Sequence, residues 1–250
     1  KLFKWMSVGA YGASGIRDKA WKYGTNLKLN LWNKHDLSLS VAYKRDLSFS
    51  DAIYFNKKSN LLSAQSLNEW FLEEMDSSSE HKFAVEFTAC RYLHAQLQYR
   101  YFTKDIINTD RYCFSEPIEK RYTSSEIGLY LKFAYKEKFF QTPKGTKISL
   151  GTKYPVFYFN FIKSIPVSPT SGKYYKLEAQ LYYHFIIRHV GDTYLTLTAA
   201  MLGGKPNYSE LYYGSGSYSW LNINNSFNTM RPNEFISDRF LTFNFLHNFG

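Results

Sequence analysis

Between Tyr175 and Arg188 the chain alternates residue by residue. Tyr175, Leu177, Ala179, Leu181, Tyr183, Phe185 and Ile187 fall on one side, and Lys176, Glu178, Gln180, Tyr182, His184, Ile186 and Arg188 on the other. A period of two belongs to a β-strand, whose successive side chains point to opposite faces, and not to a helix of 3.6 residues per turn. The pattern recurs in Leu37, Leu39, Val41, Tyr43; in Phe83, Val85, Phe87, Ala89; in Leu93, Ala95, Leu97, Tyr99, Tyr101; and in Ile127, Leu129, Leu131, Phe133, Tyr135. Leu195, Leu197, Ala199, Met201 and Leu241, Phe243, Phe245, His247, Phe249 repeat it near the end. With weaker stretches at residues 2–11, 22–31 and 148–160, the expectation is an all-β chain of about ten strands.

Strand length selects the environment. Globular strands are typically about 5–6 residues long, whereas a tilted strand needs about 9–11 to cross a bilayer, and several runs here keep alternating for that long. Aromatics make up 19% of the chain while mean hydropathy is only −0.39, as expected when alternate positions alone are apolar. Tyrosines and phenylalanines gather near run ends, at residues 99–102, 133–135 and 182–185, where an aromatic girdle would meet lipid headgroups. Connections alternate between tight turns, at Arg91-Tyr92 and residues 188–191, and long loops, at residues 47–81, 103–122 and 203–234. The reading is an antiparallel transmembrane β-barrel, one domain over residues 1–250. A soluble lipocalin-like or sandwich protein would show the same alternation with the faces exchanged.

A membrane helix needs roughly 18 or more nearly uncharged apolar residues; Lys132 and Lys136 interrupt one candidate, and Arg188, His189 and Asp192 end another. The net charge of +10 would suit a polyanion, whether nucleic acid, anionic lipid or lipopolysaccharide phosphate. The basic residues are scattered, however, with no nucleic-acid recognition element beside them, so nucleic acid is not expected. Cys90 and Cys113 are too few for a disulfide scaffold and lack metal-ligand spacing. No secretory leader is seen at Lys1-Leu2-Phe3, so any such signal is expected to have been removed.

The common catalytic signatures are absent, and no catalytic, cofactor or metal residue is expected. Gly214-Ser215-Gly216-Ser217 lies in a long loop and reads as flexible chain, and the Asn207-Tyr208-Ser209 and Asn224-Asn225-Ser226 triplets read as turn residues. An enzyme acting on lipid or peptide at the outer leaflet is the alternative; His94 and His184 would be its candidates, although Glu178 stands six positions from His184 on the same face, about 20 Å away along a strand. The polar face is the more informative feature. Glu86, Arg100, Lys132, Lys136, Lys153, Lys176, Glu178, His184 and Arg188 are expected to face the lumen, where charges must meet partners, a plug or water. Tyr130, Phe157 and Tyr182 are expected on that face too, giving a partly filled lumen rather than an open pore. Within the first long loop, residues 61–75 place Leu62, Leu67, Trp70, Phe71 and Met75 at helical spacing beside Glu69, Glu73 and Glu74. A short amphipathic loop helix is expected there, with Trp70 and Phe71 as a surface for a partner.

Four phrases carry a resemblance: Tyr11-Gly12 through Asp18-Lys19-Ala20-Trp21-Lys22-Tyr23-Gly24, Gly151-Thr152-Lys153-Tyr154-Pro155, Tyr174-Tyr175-Lys176-Leu177-Glu178, and Glu234-Phe235-Ile236-Ser237-Asp238-Arg239-Phe240. In this order they resemble the C-terminal barrel region of a Bacteroidota outer-membrane family whose longer members carry an N-terminal carboxypeptidase-regulatory-like domain. That family is distantly similar to the surface-antigen superfamily, which assembles or exports outer-membrane proteins. The resemblance implies a longer native chain, with earlier strands completing the barrel. It also implies an outer-membrane location, contact with lipid and lipopolysaccharide, and a place in an envelope assembly, export or surface complex with other proteins. The Arg-Gly-Phe/Tyr loop signature of the superfamily is absent, and no catalytic residue carries over.

Overall fold

The computed structural model describes residues 5–14, 21–32, 35–48, 76–106, 120–141, 147–214, 216, 227, 229–231 and 234–249. The stretch 61–75, with Trp70 and Phe71, lies outside them. The strands are β1 (Met6–Ser14), β2 (Trp21–Trp32), β3 (Leu37–Ser48), β4 (Asp76–Cys90), β5 (Leu93–Asp105), β6 (Arg121–Ala134), β7 (Lys138–Gln141), β8 (Lys147–Gly151), β9 (Val156–Ile165), β10 (Lys173–Ile187), β11 (Gly191–Lys205), β12 (Tyr212–Tyr213), β13 (Ile236–Ser237) and β14 (Arg239–Phe249). Ten of them form one sheet in the order β1-β2-β3-β4-β5-β6-β9-β10-β11-β14, antiparallel throughout. The chain meanders up and down, with the small hairpins β7–β8 and β12–β13 inserted between wall strands. Among the described residues β1 and β14 are the two edges and do not pair with each other.

The polarity of the sheet is inverted relative to a soluble protein. Register stacks Leu29, Leu39, Val85, Leu97, Leu129, Phe161, Leu177 and Met201 into one continuous row across eight strands. On this face Phe157 is 52% exposed, Leu97 49%, Phe243 61% and Leu241 71%. The opposite face carries Glu126, Lys176, Glu178 and Asn160, all buried. In water, an exposed apolar sheet of this extent over a charged interior would reverse the usual gain from burying hydrocarbon. In a bilayer the same arrangement is the low-energy one, with hydrocarbon outside and polar groups inside. The wall is that of a transmembrane β-barrel.

Aromatic side chains mark two levels on the outer face. At the long-loop end Tyr23, Tyr43, His81 and Tyr101 step across β2–β5 with ring centroids 5.9, 4.7 and 6.3 Å apart. At the short-turn end Tyr92, Tyr135 and Tyr154 meet edge to face, each centroid pair 4.9 Å apart. Tyr92 and Tyr101 stand nine residues apart along β5, about 30 Å of strand and so about 23 Å along the normal at a tilt near 40°. That height matches the apolar band of a barrel wall, about 25 Å.

The strands overrun several of the expected loops. Ser77–Asp105 and Ser48–Asp76 still pair, so β3 and β4 extend into the expected 47–81 loop, and β5 and β6 shorten the 103–122 loop. Residues 148–160 are not one strand: β8 ends at Gly151, whose φ is +82°, and β9 starts after Pro155. The break resets which side chains face inward. Phe157, expected inside, faces outward beside Phe133 and Leu181, while Lys153 lies exposed in the intervening turn. Within the expected aromatic clusters, Phe102 and Tyr182 belong to the inner face instead of the girdle, Phe102 being fully buried.

Close packing on the outer face depends on one glycine. The Tyr175 ring lies across Gly203 of the neighbouring strand, and a methyl group there would collide with it. Gly203→Ala is therefore expected to cost about 1–3 kcal/mol through overpacking, read as a lower urea midpoint in detergent. Added to Tyr175→Ala, which removes the ring, the same change should cost little more.

Candidate functional site

The inner face is organised around a segment that returns into it. After β11 the chain makes a 3-10 turn at Tyr208–Glu210 and then forms the β12–β13 hairpin. Asn207 anchors this strap to the β9–β10 connection: Gly172 N donates to Asn207 Oδ1 (2.8 Å), and Asn207 Nδ2 donates to the Thr170 carbonyl (3.1 Å). Apolar contacts hold both flanks. Tyr208, Tyr213 and Ile236 pack on Phe102, Ile106 and Tyr122, while Tyr212 and Leu211 pack with Tyr174, Ala200 and Leu202.

At the strap's centre Glu210 is fully buried. Lys104 Nζ of β5 donates to its Oε1 at 2.5 Å, Lys176 Nζ of β10 to its Oε2 at 2.9 Å, and the Tyr122 hydroxyl of β6 to Oε1 at 2.6 Å. Ser209 Oγ also hydrogen-bonds Tyr122. Two ammonium groups and a phenol on three strands thus converge on one carboxylate. Buried charge of this kind is tolerated because each ion has opposite charge and hydrogen bonds at contact distance.

Two further clusters continue the network. Glu178 accepts hydrogen bonds from Asn160 Nδ2 (3.0 Å) and from the Tyr212 hydroxyl of the strap (3.1 Å). Glu126 accepts from Arg100 Nε (2.7 Å) and from Tyr174 OH, and Arg100 Nη2 stands 2.6 Å from the same carboxylate. The Arg100 guanidinium also lies over the Phe102 ring, 4.3 Å from its centroid. Nearer the other edge Lys28 Nζ pairs with Glu86 at 2.5 Å, and toward the short-turn end Lys132 pairs with Glu137 at 2.6 Å. A hollow of about 480 Å³ persists on the β1–β4 side, walled by Gly9, Gly24, Asn26, Ala42, Lys44 and Glu80 and by no residue of the strap.

Of the nine residues expected to face the lumen, Glu86, Arg100, Lys132, Lys176, Glu178 and His184 lie on this inner face. Lys136, Lys153 and Arg188 do not: each is exposed in a connection beyond the end of its strand. His184 stacks on Tyr194 with centroids 4.3 Å apart, and its buried Nε2 has no hydrogen-bond partner among the described residues; His94 Nδ1 stands 3.0 Å from Thr88 Oγ1. The two histidines are on different strands, His94 on β5 and His184 on β10. Sequence reasoning missed Lys104, Tyr122, Glu126, Asn160, Tyr174, Glu210 and Tyr212. Extending the Arg100–Phe102 alternation by one step would have found Lys104; nothing in the sequence pairs it with Glu210. Among the described residues no group of three or more His, Cys, Asp or Glu side chains could hold a metal ion, and no helix is long and apolar enough to cross a membrane.

No family model and no curated protein matches the chain. Among solved structures, BamA from Haemophilus ducreyi lacking POTRA domains 1–3 is similar, at 11% identity and a TM-score of 0.49, over 84% of this chain and 44% of that one. The chain therefore spans less than half of this structural relative.

Proposed function

We propose that this chain forms the C-terminal wall of an outer-membrane β-barrel of the bacterial cell envelope, in an assembly, export or surface complex rather than as a diffusion pore. The observation that carries the reading is the inverted wall together with its strap. An exposed apolar band needs lipid, and single-chain barrels of this polarity are outer-membrane structures. Tied down by Asn207 and Glu210, the strap covers the inner face over β5, β6, β10 and β11 and narrows any passage there, leaving recognition to the long connections. Strands outside this chain cover the edges at β1 and β14, because an unpaired edge in lipid leaves backbone groups unsatisfied. Glu86, Arg100, Lys132, Lys176, Glu178 and His184 line the lumen. Trp70 and Phe71, in the chain between β3 and β4, meet another envelope protein, and the long-loop end faces lipopolysaccharide.

Membrane fractionation of the full-length protein with heat-modifiable gel migration tests the reading. Recovery in the outer membrane with a heat-dependent shift is expected; a protein soluble without detergent would overturn it. Trp70→Ala combined with Phe71→Ala should release co-purifying envelope proteins while leaving the heat-dependent shift unchanged. Retained partners would remove these two residues from the interface.

A further inference from the structure

The short-turn rim presents a cationic and aromatic cluster that neither the lumen network nor the strap uses. The Tyr92–Tyr135–Tyr154 group stands directly beyond Leu93, Phe133 and Phe157, which are cross-strand neighbours at the end of the apolar band. Arg91 places its guanidinium carbon 5.5 Å from the Tyr92 centroid, and Lys136 Nζ lies 5.3 Å from the Tyr135 centroid and 5.9 Å from that of Tyr154.

The arrangement is built. Lys136 sits at φ +51°, a left-handed conformation that long side chains seldom adopt. Thr152 Oγ1 donates to the Tyr135 carbonyl at 2.5 Å and accepts from Tyr154 N at 3.2 Å, while Ala134 N donates to the Tyr92 carbonyl at 3.0 Å. The backbone is thereby held where both cations lie over the rings while remaining exposed. Lys138, Lys153 and Arg188 stand exposed on the same rim, and its Glu137 is engaged by Lys132.

We infer that the rim formed by Arg91, Lys136 and the Tyr92–Tyr135–Tyr154 platform is a binding site for the phosphate of an anionic phospholipid in the adjacent leaflet. The inference rests on the membrane reading above. Rings at the edge of the band seat at the headgroup level, where cations on long stems reach the phosphate plane and attract anionic lipid. The β2–β3, β4–β5 and β10–β11 connections at this end are short and only the 135–155 connection, with its β7–β8 hairpin, is longer. Short turns belong to the periplasmic side of such barrels, so the partner is a phospholipid of that leaflet. Contact with the rings leaves the outward sides of both cations available to phosphate oxygens.

The test uses the full-length protein in nanodiscs of phosphatidylcholine with a minor fraction of phosphatidylglycerol, scoring co-retained lipid by native mass spectrometry. Wild type should retain phosphatidylglycerol selectively. Arg91→Gln combined with Lys136→Gln should lower that retention about thirtyfold, from two headgroup attractions lost, while Lys173→Gln at the opposite rim should leave it unchanged. Heat-modifiable migration reports folding of each variant, and Lys136→Arg, which keeps both charges, should retain the lipid as wild type does. Equal retention in inserted wild type and double variant overturns the site, as does displacement of the lipid by millimolar inorganic phosphate, which would make it a free-phosphate site. A chain that never enters nanodiscs overturns the membrane reading itself.

Discussion

Replacing Glu210 by glutamine is expected to be among the most damaging single changes in this chain. The substitution keeps shape and volume but removes the charge between Lys104 and Lys176, which lie within 2.5 and 2.9 Å of it. Two buried ammonium groups are then left facing an amide. Breaking a buried ionic cluster from one side typically costs about 3–5 kcal/mol, because the remaining charge stays desolvated without compensation. The urea midpoint of the heat-modifiable form should fall accordingly. In planar bilayers the freed strap should raise the full-length protein's conductance well above the wild-type level. Removing all three charges reverses the effect: Glu210→Leu with Lys104→Met and Lys176→Met should recover most of the lost stability, since apolar groups of similar volume can replace a buried ion cluster. A Glu210→Gln variant as stable and as closed as wild type would show that the strap is held by Asn207 and its apolar contacts without the ion cluster.

Leu97→Arg is expected to cost nearly as much, for an unrelated reason. Leu97 is 49% exposed and lies midway along β5 between the Tyr92 and Tyr101 levels, so its side chain sits near the bilayer centre. Arginine at the midplane of a barrel's lipid face costs about 2–4 kcal/mol. On a water-facing surface the same change would stay within about 0.5 kcal/mol. Folding titrations into lipid vesicles read the difference directly. A loss within the smaller range would mean that the apolar row faces water, and every inside and outside assignment would then exchange.

The sequence revealed the wall where two environments act on one strand. Between the aromatic levels, lipid demands hydrocarbon on one face and the interior accepts charge on the other, and period two is the result. Legibility failed where only one of those pressures acts. Ser77, Ser79, Thr103 and Asp105 are polar on the outward side as well, because β4 and β5 rise past the hydrocarbon there; pairing continues while the alternation lapses, so the strands looked shorter than they are. Parity failed for a local reason at Gly151 and Pro155, where a turn inside an apparently continuous run moved Phe157 to the lipid side and left Lys153 outside the wall. The strap was not legible at all. Asn207, Ser209 and Glu210 are ordinary loop residues by type, and periodicity carries no information about whether a loop folds inward or away. What commits this one is the tyrosine and leucine content around it, which has the inner face to pack against only after the wall exists.

The strap also has a consequence in time. Lys104 and Glu210 are 106 residues apart, so their contact closes one of the longest loops in the chain, and contacts of large sequence separation are entropically the slowest to gather. Strands β5, β6 and β10 must already stand in register before the carboxylate finds both ammonium groups at once. The bond therefore works as a completion mark: an intermediate missing any of those strands stays unlatched, and a latched chain is one whose central wall has been assembled.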